Sequence, residues 1–313
     1  MDIVVLPGTY TNHKQETVSV SLTEKKLIEG NCMVETLTVF KVFFNTSRDT
    51  IVPPFTSKVS RMIVLKALEM SGFKDVVEEI ERLWKTKPYI FSVVFDENRP
   101  LYKTGKDSEK PIVLKGGKEY MFKLTTIGNY RAMRIVQAIS TVGSVEVFNS
   151  EISILGVEAK TVDFKSLELK SNIRYVKVEL ITPALLQLPR PRKLREKTKL
   201  RHVLFPIPSL VMHSLAKHWN LFAPETEKIA DIKKLAKLSN YILVEVNYKL
   251  QPTTVIYDEK RRPRGITGWI LYEVNSISKE RSRKILKLLN YANYVGIGRS
   301  RTIGFGCIKA TFQ

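Results

Sequence analysis

The sequence is poor in the residues that build metal and disulfide sites. Two cysteines in 313 residues, Cys32 and Cys307, exclude a disulfide framework and a zinc ribbon. Of the four histidines, His213 and His218 are five apart on an expected helix, the wrong spacing for a shared metal face. The HExxH pattern and the P-loop lysine signature are absent. Neither a metal nor a cofactor is expected. No apolar run approaches the ~20 residues that a membrane span needs. Residues 1–30 lack the basic start and apolar stretch of a secretory signal, which points to a cytoplasmic protein. Acidic charge is scarce as well: 31 Asp and Glu face 51 Lys and Arg, for a net charge of +20. Such an imbalance speaks to partners rather than to fold, and the partner it favours is a polyanion, nucleic acid before any anionic membrane.

What is present is enough for packed cores. The hydrophobic fraction is 43%, and the length suits two ordinary domains or one large one. Residues 1–33 are polar and Thr-rich, strand-like at 16–22, and read as an N-terminal extension of unknown role. From Val34 the pattern becomes regular. Residues 34–45 are β-branched and aromatic, a strand. Pro53-Pro54 stops it, and 55–71 reads as a helix closed by Gly72, with Thr56 or Ser57 as N-cap. A short helix at 75–85, strands at 88–95 and 119–127, a helix at 130–140 and strand material over 144–161 follow. Strand, helix, two strands, helix, strand is the split βαβ order of a ferredoxin-like, RRM-type domain. The order then repeats. Strands are expected at 174–182, 241–248, 253–257, 265–274 and 305–312, and helices at 210–222 and 279–292. The expected fold is α+β, tandem ferredoxin-like (βαββαβ) domains over 34–165 and 166–313.

The last nineteen residues, VGIGRSRTIGFGCIKATFQ, carry the sharpest signal. Gly296, Gly298, Gly304 and Gly306 bracket Arg299, Ser300, Arg301, Thr302 and Ile303. Glycine lets a backbone approach a ligand closely, and arginine and hydroxyl side chains donate to phosphate oxygens. The same glycines also suit close packing between the two domains. Two further basic segments stand out. Lys260-Arg261-Arg262-Pro263-Arg264 falls on an expected hairpin, and Arg190–Arg201 holds seven cations, Arg192, Lys193 and Arg195 among them, against one acid. Both read as phosphate contacts, of the kind that weaken steeply with salt. Trp84, Trp219 and Trp269 lie among apolar neighbours and read as core, as does Cys307.

The GIGRSRTIGFG segment, preceded by a helix and by Gly265-Ile-Thr-Gly-Trp-Ile-Leu-Tyr-Glu, resembles the C-terminal domain of the CRISPR repeat-RNA endoribonucleases of the RAMP superfamily, their archaeal members above all. The resemblance spans about residues 34–313. It implies metal-independent cleavage of CRISPR precursor RNA within each repeat: the RNA's own 2′-OH attacks the adjacent phosphate, leaving a 2′,3′-cyclic phosphate and a 5′-OH. It also implies CRISPR precursor or guide RNA as partner, with effector-complex proteins and a homodimer as further partners. The usual family site carries a histidine at the first helix of the N-terminal domain, whereas no histidine of this chain lies between 34 and 161. Two alternatives follow: a lysine-and-arginine site, or a non-catalytic RAMP-type protein that binds guide RNA without cutting. For the first, Lys58 and Arg61 share a face of the first helix. Lysine can handle protons, whereas arginine only stabilises charge. Lys58 is therefore the expected proton carrier, Arg61 the phosphate ligand, and Lys87 a third cation matching a basic position in the relatives.

Overall fold

A computed structural model describes residues 2–5, 36–82, 86–169, 172–189, 196–198, 201–275 and 277–313. The first half comprises strands β1 (Asp2–Val5), β2 (Thr36–Thr46) and β3 (Thr50–Val52), helices α1 (Ser57–Met70) and α2 (Lys74–Glu81), strands β4 (Tyr89–Asp96), β5 (Arg99–Pro100), β6 (Ile112–Leu114) and β7 (Tyr120–Ile127), helix α3 (Asn129–Thr141), and strands β8 (Ser144–Val147) and β9 (Ser150–Asp163). Alternation decides β2: Phe40, Val42 and Phe44 are buried while Lys41 between them is exposed, the period of a half-buried strand. Helix α1 buries Val59, Ile63, Val64, Ala67 and Leu68, the three-and-four spacing of an amphipathic helix. Strands β9-β2-β7-β4 lie side by side, each pair antiparallel. This is the ferredoxin-like order, with α1 and α3 over a core of Phe40, Phe44, Ile63, Leu68, Phe122 and Ile135.

The second half repeats the plan with insertions. Its elements are β10 (Tyr175–Ala184), β11 (Leu186–Gln187), β12 (His202–Val203), α4 (Pro208–Phe222), α5 (Ile232–Ile242), β13 (Leu243–Thr254), β14 (Arg264–Val274), α6 (Lys279–Val295) and β15 (Ile308–Phe312). The sheet order β13-β14-β10-β15 is the same ferredoxin-like arrangement, so the fold is the tandem α+β one. The two sheets part between Asp163 and Tyr175. Trp219 and Tyr291 lie in the core of this half, whereas Trp269 is half-buried beneath the Lys177 ammonium, 5.4 Å from its ring centroid.

Several local expectations change. The extension contributes structure, since β1 pairs antiparallel with β9 and lengthens the first sheet; the expected strand at 16–22, Trp84 and the loop cations Arg192, Lys193 and Arg195 lie outside the described residues. The strands expected at 241–248 and 253–257 are one strand, β13, running through Pro252. It is the edge strand of its sheet, where a missing N–H removes no ladder bond. Helix α5 was not expected, although Asp231 caps it by accepting from the Lys234 N–H at 2.8 Å and Leu235, Ala236, Ser239 and Ile242 form its buried stripe. Neither Thr56 nor Ser57 caps α1 with its side chain. Thr56 Oγ1 instead donates to the Leu101 carbonyl at 2.6 Å and accepts from the Val94 N–H at 2.9 Å. These bonds pin the start of α1 to β4. Among the described residues, no helix is long and apolar enough to cross a membrane.

Candidate active site and nucleic-acid interface

The two domains meet through a third apolar cluster: Phe55, Val93 and Phe95 from the first half, with Leu185, Val255, Tyr257 and Phe305 from the second. Phe55 stacks on Phe305 with centroids 4.5 Å apart and planes 18° from parallel. The glycine-rich segment builds this contact. Gly304 has φ +91°, and a Cβ there would stand 2.6 Å from Ser57 Cβ at the head of α1. Ser57 Oγ donates to the Ile303 carbonyl at 2.7 Å, and Thr182 Oγ1 to the Gly304 carbonyl at 2.7 Å. Gly306 is as tight, its φ being +68° and the Ile297 carbonyl oxygen occupying the place of a side chain. Gly296 likewise faces the Gly306 carbonyl, and Gly298 that of Leu185. All four glycines expected to cradle phosphate therefore have protein, not open space, where their side chains would be. What the loop offers to solvent is Arg299, Ser300, Arg301 and Thr302.

These four side chains line a cleft of about 560 Å³ between the domains, together with Lys87, Ser214, Lys217 and His218. A second cleft of about 260 Å³ adjoins it through Lys87, Ser300 and Thr302, and is lined further by Arg61, Tyr257 and Arg261. The two hollows form a cation-walled trough at the domain junction. Lys87 and Arg61 converge in it because α2 ends there: the Ile80 carbonyl accepts from Arg61 Nη2 at 3.4 Å and from Lys87 Nζ. A helix C-terminus leaves carbonyls without partners and attracts cations. Burial pulls the Lys87 ammonium below the ordinary lysine range, the Arg61 guanidinium pushes it the same way, and the Glu81 carboxylate resists. Pro88, directly after Lys87, disfavours helical backbone at this residue and holds the lead into β4 extended.

Lys58 takes a different place. Its ammonium lies 5.0 Å from the centroid of the Tyr257 ring, and the Arg261 guanidinium lies 4.5 Å from the same ring. Tyr257 is buried at the junction, so it gathers both cations beside the trough. Arg61, Lys87, Arg261, Arg299, Ser300 and Arg301 line the two clefts, while Lys58 borders them through Tyr257. The hairpin cluster is partly neutralised, since Arg261 pairs with Asp258 and Arg262 Nη1 meets Glu109 Oε1 of the first domain at 2.9 Å. Arg264 is exposed at the start of β14. Arg299 bonds the Gln187 side-chain oxygen. Gln187 lies on the β11–β12 ribbon, which therefore reaches the rim of the trough.

Arg301 is half-buried, and burial draws its guanidinium down to about 10, which leaves it charged at neutral pH. The residue that sequence reasoning passed over is His218, 3% exposed yet part of the cleft wall. Its Nδ1 is 2.7 Å from the Tyr291 hydroxyl, and it lines the same cleft as Lys87 of the first domain. Burial, and then the nearby Arg301 charge, hold His218 well below the usual histidine range, so it is neutral. No group of three or more His, Cys, Asp or Glu arranged to hold a metal ion occurs among the described residues.

Both halves have known counterparts. Residues 39–162 match the family model described as the Cas6 N-terminal domain, and residues 178–308 that described as CRISPR-associated endoribonuclease Cas6. CRISPR-associated endoribonuclease Cas6 2 of Saccharolobus solfataricus is 26% identical over 291 residues, which covers 88% of this chain and 96% of that protein. Among solved structures, a Cas6 product complex is similar with TM-score 0.65 and 16% identity, covering 90% of this chain and 99% of that one. Thermus thermophilus Cas6 is similar with TM-score 0.61 and 15% identity, covering 89% and 99%.

Proposed function

The chain belongs to the Cas6 family of CRISPR-associated endoribonucleases, and we propose that it cuts CRISPR precursor RNA within the repeats at the Arg61–Lys87 trough, without a metal ion. The observation that carries this reading is the convergence of Arg61 and Lys87 on the Ile80 carbonyl, in clefts walled further by Arg261, Arg299, Ser300, Arg301 and Thr302. Cleavage by a 2′-OH needs charge stabilisation on the pentacoordinate phosphorus and a proton for the departing 5′ oxygen. Arg61 cannot release its proton at working pH and supplies the first. Lys87, whose ammonium is already made more acidic by its surroundings, supplies the second. The 2′ oxygen gives its proton to solvent water as it bonds to phosphorus, the P–O5′ bond breaks, and the Lys87 proton goes to O5′. The products are a 2′,3′-cyclic phosphate and a 5′-OH. The proton role that the sequence assigned to Lys58 thus passes to Lys87, while Lys58 adds positive charge at the trough's edge.

RNA is held by Arg299, Ser300, Arg301 and Thr302 of the loop, by Arg261, Arg262 and Arg264 of the hairpin, and by the basic segment 190–201. The test is incubation of end-labelled repeat RNA with purified protein in EDTA, with the fragment ends analysed. Cleavage that requires magnesium, or fragments ending in a 3′-OH, would overturn the chemistry. Retained binding with no cleavage in any buffer would leave the guide-RNA-binding reading in its place.

A further inference from the structure

We infer that Glu81, the last residue of α2, is the base through which the 2′-hydroxyl proton of the RNA reaches solvent. The inference rests on the trough being the cleavage site, and the observation behind it is a carboxylate where every local influence disfavours one. Among the described residues the two clefts are walled by six cations, Arg61, Lys87, Lys217, Arg261, Arg299 and Arg301, and by one acid, Glu81. A negative charge there repels the phosphates that the cations attract. Glu81 also closes α2, and the C-terminal end of a helix favours cations over anions. No bond explains its presence, since Glu81 is exposed and closes no hydrogen bond or ion pair among the described residues.

Its position suits proton transfer. Glu81 follows Ile80, whose carbonyl receives Arg61 and Lys87, so a carboxylate, a guanidinium and an ammonium meet at one helix end. An ionised carboxylate is purely an acceptor. Glu81 takes the proton as the 2′ oxygen bonds to phosphorus, the P–O5′ bond breaks, and the Lys87 proton goes to O5′. Glu81 then releases its proton to water and Lys87 regains one, which restores the site.

Other acceptors near the trough are committed. The Tyr89 hydroxyl donates to Glu79 at 2.7 Å, and Glu79 accepts from Arg131 Nε and Nη2 at 2.9 and 2.8 Å. Burial raises the Tyr89 and Tyr257 hydroxyls above the ordinary tyrosine range, so both stay protonated. His218 is 3% exposed in the neighbouring cleft, with its Nδ1 against Tyr291. The charged and titratable groups facing Glu81 are therefore Arg61 from α1, Lys87 and Tyr89 at the start of β4, and Tyr257 and Arg261 from the second domain. Glu78 and Arg82 are its neighbours along the chain.

The test measures single-turnover cleavage of repeat RNA in EDTA across pH for the unaltered protein, Glu81→Gln and Glu81→Asp, with RNA affinity and urea midpoints measured separately. The unaltered protein should give a bell, with an acid limb from the base and an alkaline limb from Lys87. Glu81→Gln should cleave ~100-fold more slowly at neutral pH and lose the acid limb, its rate rising in step with hydroxide. Its alkaline limb should move to lower pH, because Glu81 helps Lys87 to keep its proton. Glu81→Asp retains a carboxylate and should retain the acid limb at an intermediate rate. Affinity and midpoint should hold or rise in Glu81→Gln, because a negative charge leaves both the phosphate-binding surface and a helix C-terminus. A group that only repels phosphate predicts faster cutting by Glu81→Gln, and that result overturns the inference. A slow Glu81→Gln that keeps its acid limb also overturns it, by making Glu81 a mere counter-ion of Lys87, as does a loss of rate matched by a loss of affinity. If the unaltered protein cuts no RNA, the cleavage reading fails and the inference with it. If it cuts and Glu81→Gln behaves identically, the inference alone fails.

Discussion

Replacing Gly304 by alanine separates a glycine that packs from one that merely turns. At φ +91° an L-residue carries the left-handed penalty of ~1–2 kcal/mol. The added methyl would also stand 2.6 Å from Ser57 Cβ and 3.2 Å from the Phe55 ring, and forcing an extra carbon into a packed contact costs ~1–3 kcal/mol. Together these predict a loss of ~2–5 kcal/mol. Gly72, at the end of α1, has φ +79° but nothing within 4 Å of where a methyl would stand, so Gly72→Ala should cost only the backbone part, ~1–2 kcal/mol. Urea unfolding of both variants, with the slope checked against the unaltered protein, gives the comparison. A cycle sharpens it: in a Ser57→Gly background the obstructing Cβ is gone, and Gly304→Ala should cost at least ~1 kcal/mol less than it does alone. Equal losses for Gly304→Ala and Gly72→Ala, together with additivity against Ser57→Gly, would refute the packing account and return the glycines to a role at the RNA.

Phe55→Ala removes the ring that stacks on Phe305 and touches Tyr102 and Tyr257. It should cost ~3–5 kcal/mol and split a single unfolding transition into two, seen by calorimetry. Lys87→Ala should slow single-turnover cleavage by ~10²–10⁴ while RNA affinity changes little, and Lys58→Ala should do neither to the same degree. In the unaltered protein, cleavage should fall as pH rises through a value below that of free lysine, because an acid lowered by burial and Arg61 loses its proton early. Glu79 is pulled upward by burial, but bonds from Arg131 and Tyr89 outweigh this and leave it below the ordinary glutamate range. A depressed carboxylate stabilises the fold above its unfolded pKa, and that contribution is lost as pH falls through the folded one. Urea midpoints taken from pH 6 down to pH 3 should therefore drop less in Glu79→Gln than in the unaltered protein.

Legibility in the sequence followed the range of the interaction responsible. Helix α1 was readable because Pro53-Pro54, its apolar spacing and Gly72 lie within one short stretch. Helix α5 carried its own signals in Asp231 and the Leu235–Ala236–Ser239–Ile242 stripe, and the lysines between them masked it. The strand through Pro252 read as two separate strands, and only the sheet order shows that it lies at an edge. Thr56 and Ser57 have the composition of a cap, yet their hydroxyls serve Leu101, Val94 and Ile303, partners that become neighbours only on folding.

By itself the sequence determined that this is a basic protein of two ferredoxin-like halves, because periodicity and charge are properties of short windows, while the CRISPR repeat-RNA class came from the resemblance carried by its glycine-rich segment. Tertiary structure decided the rest. It made Gly304 part of the domain joint, since the space beside it is taken by Ser57 and Phe55 from the far end of the chain. It drew Arg61 and Lys87 together at the end of α2 and turned Lys58 onto Tyr257. It also set His218 and Lys87, 131 positions apart in sequence, in the wall of one cleft by closing one domain on the other. Contacts of that span leave no local trace, because each residue meets its partner only after both domains have folded.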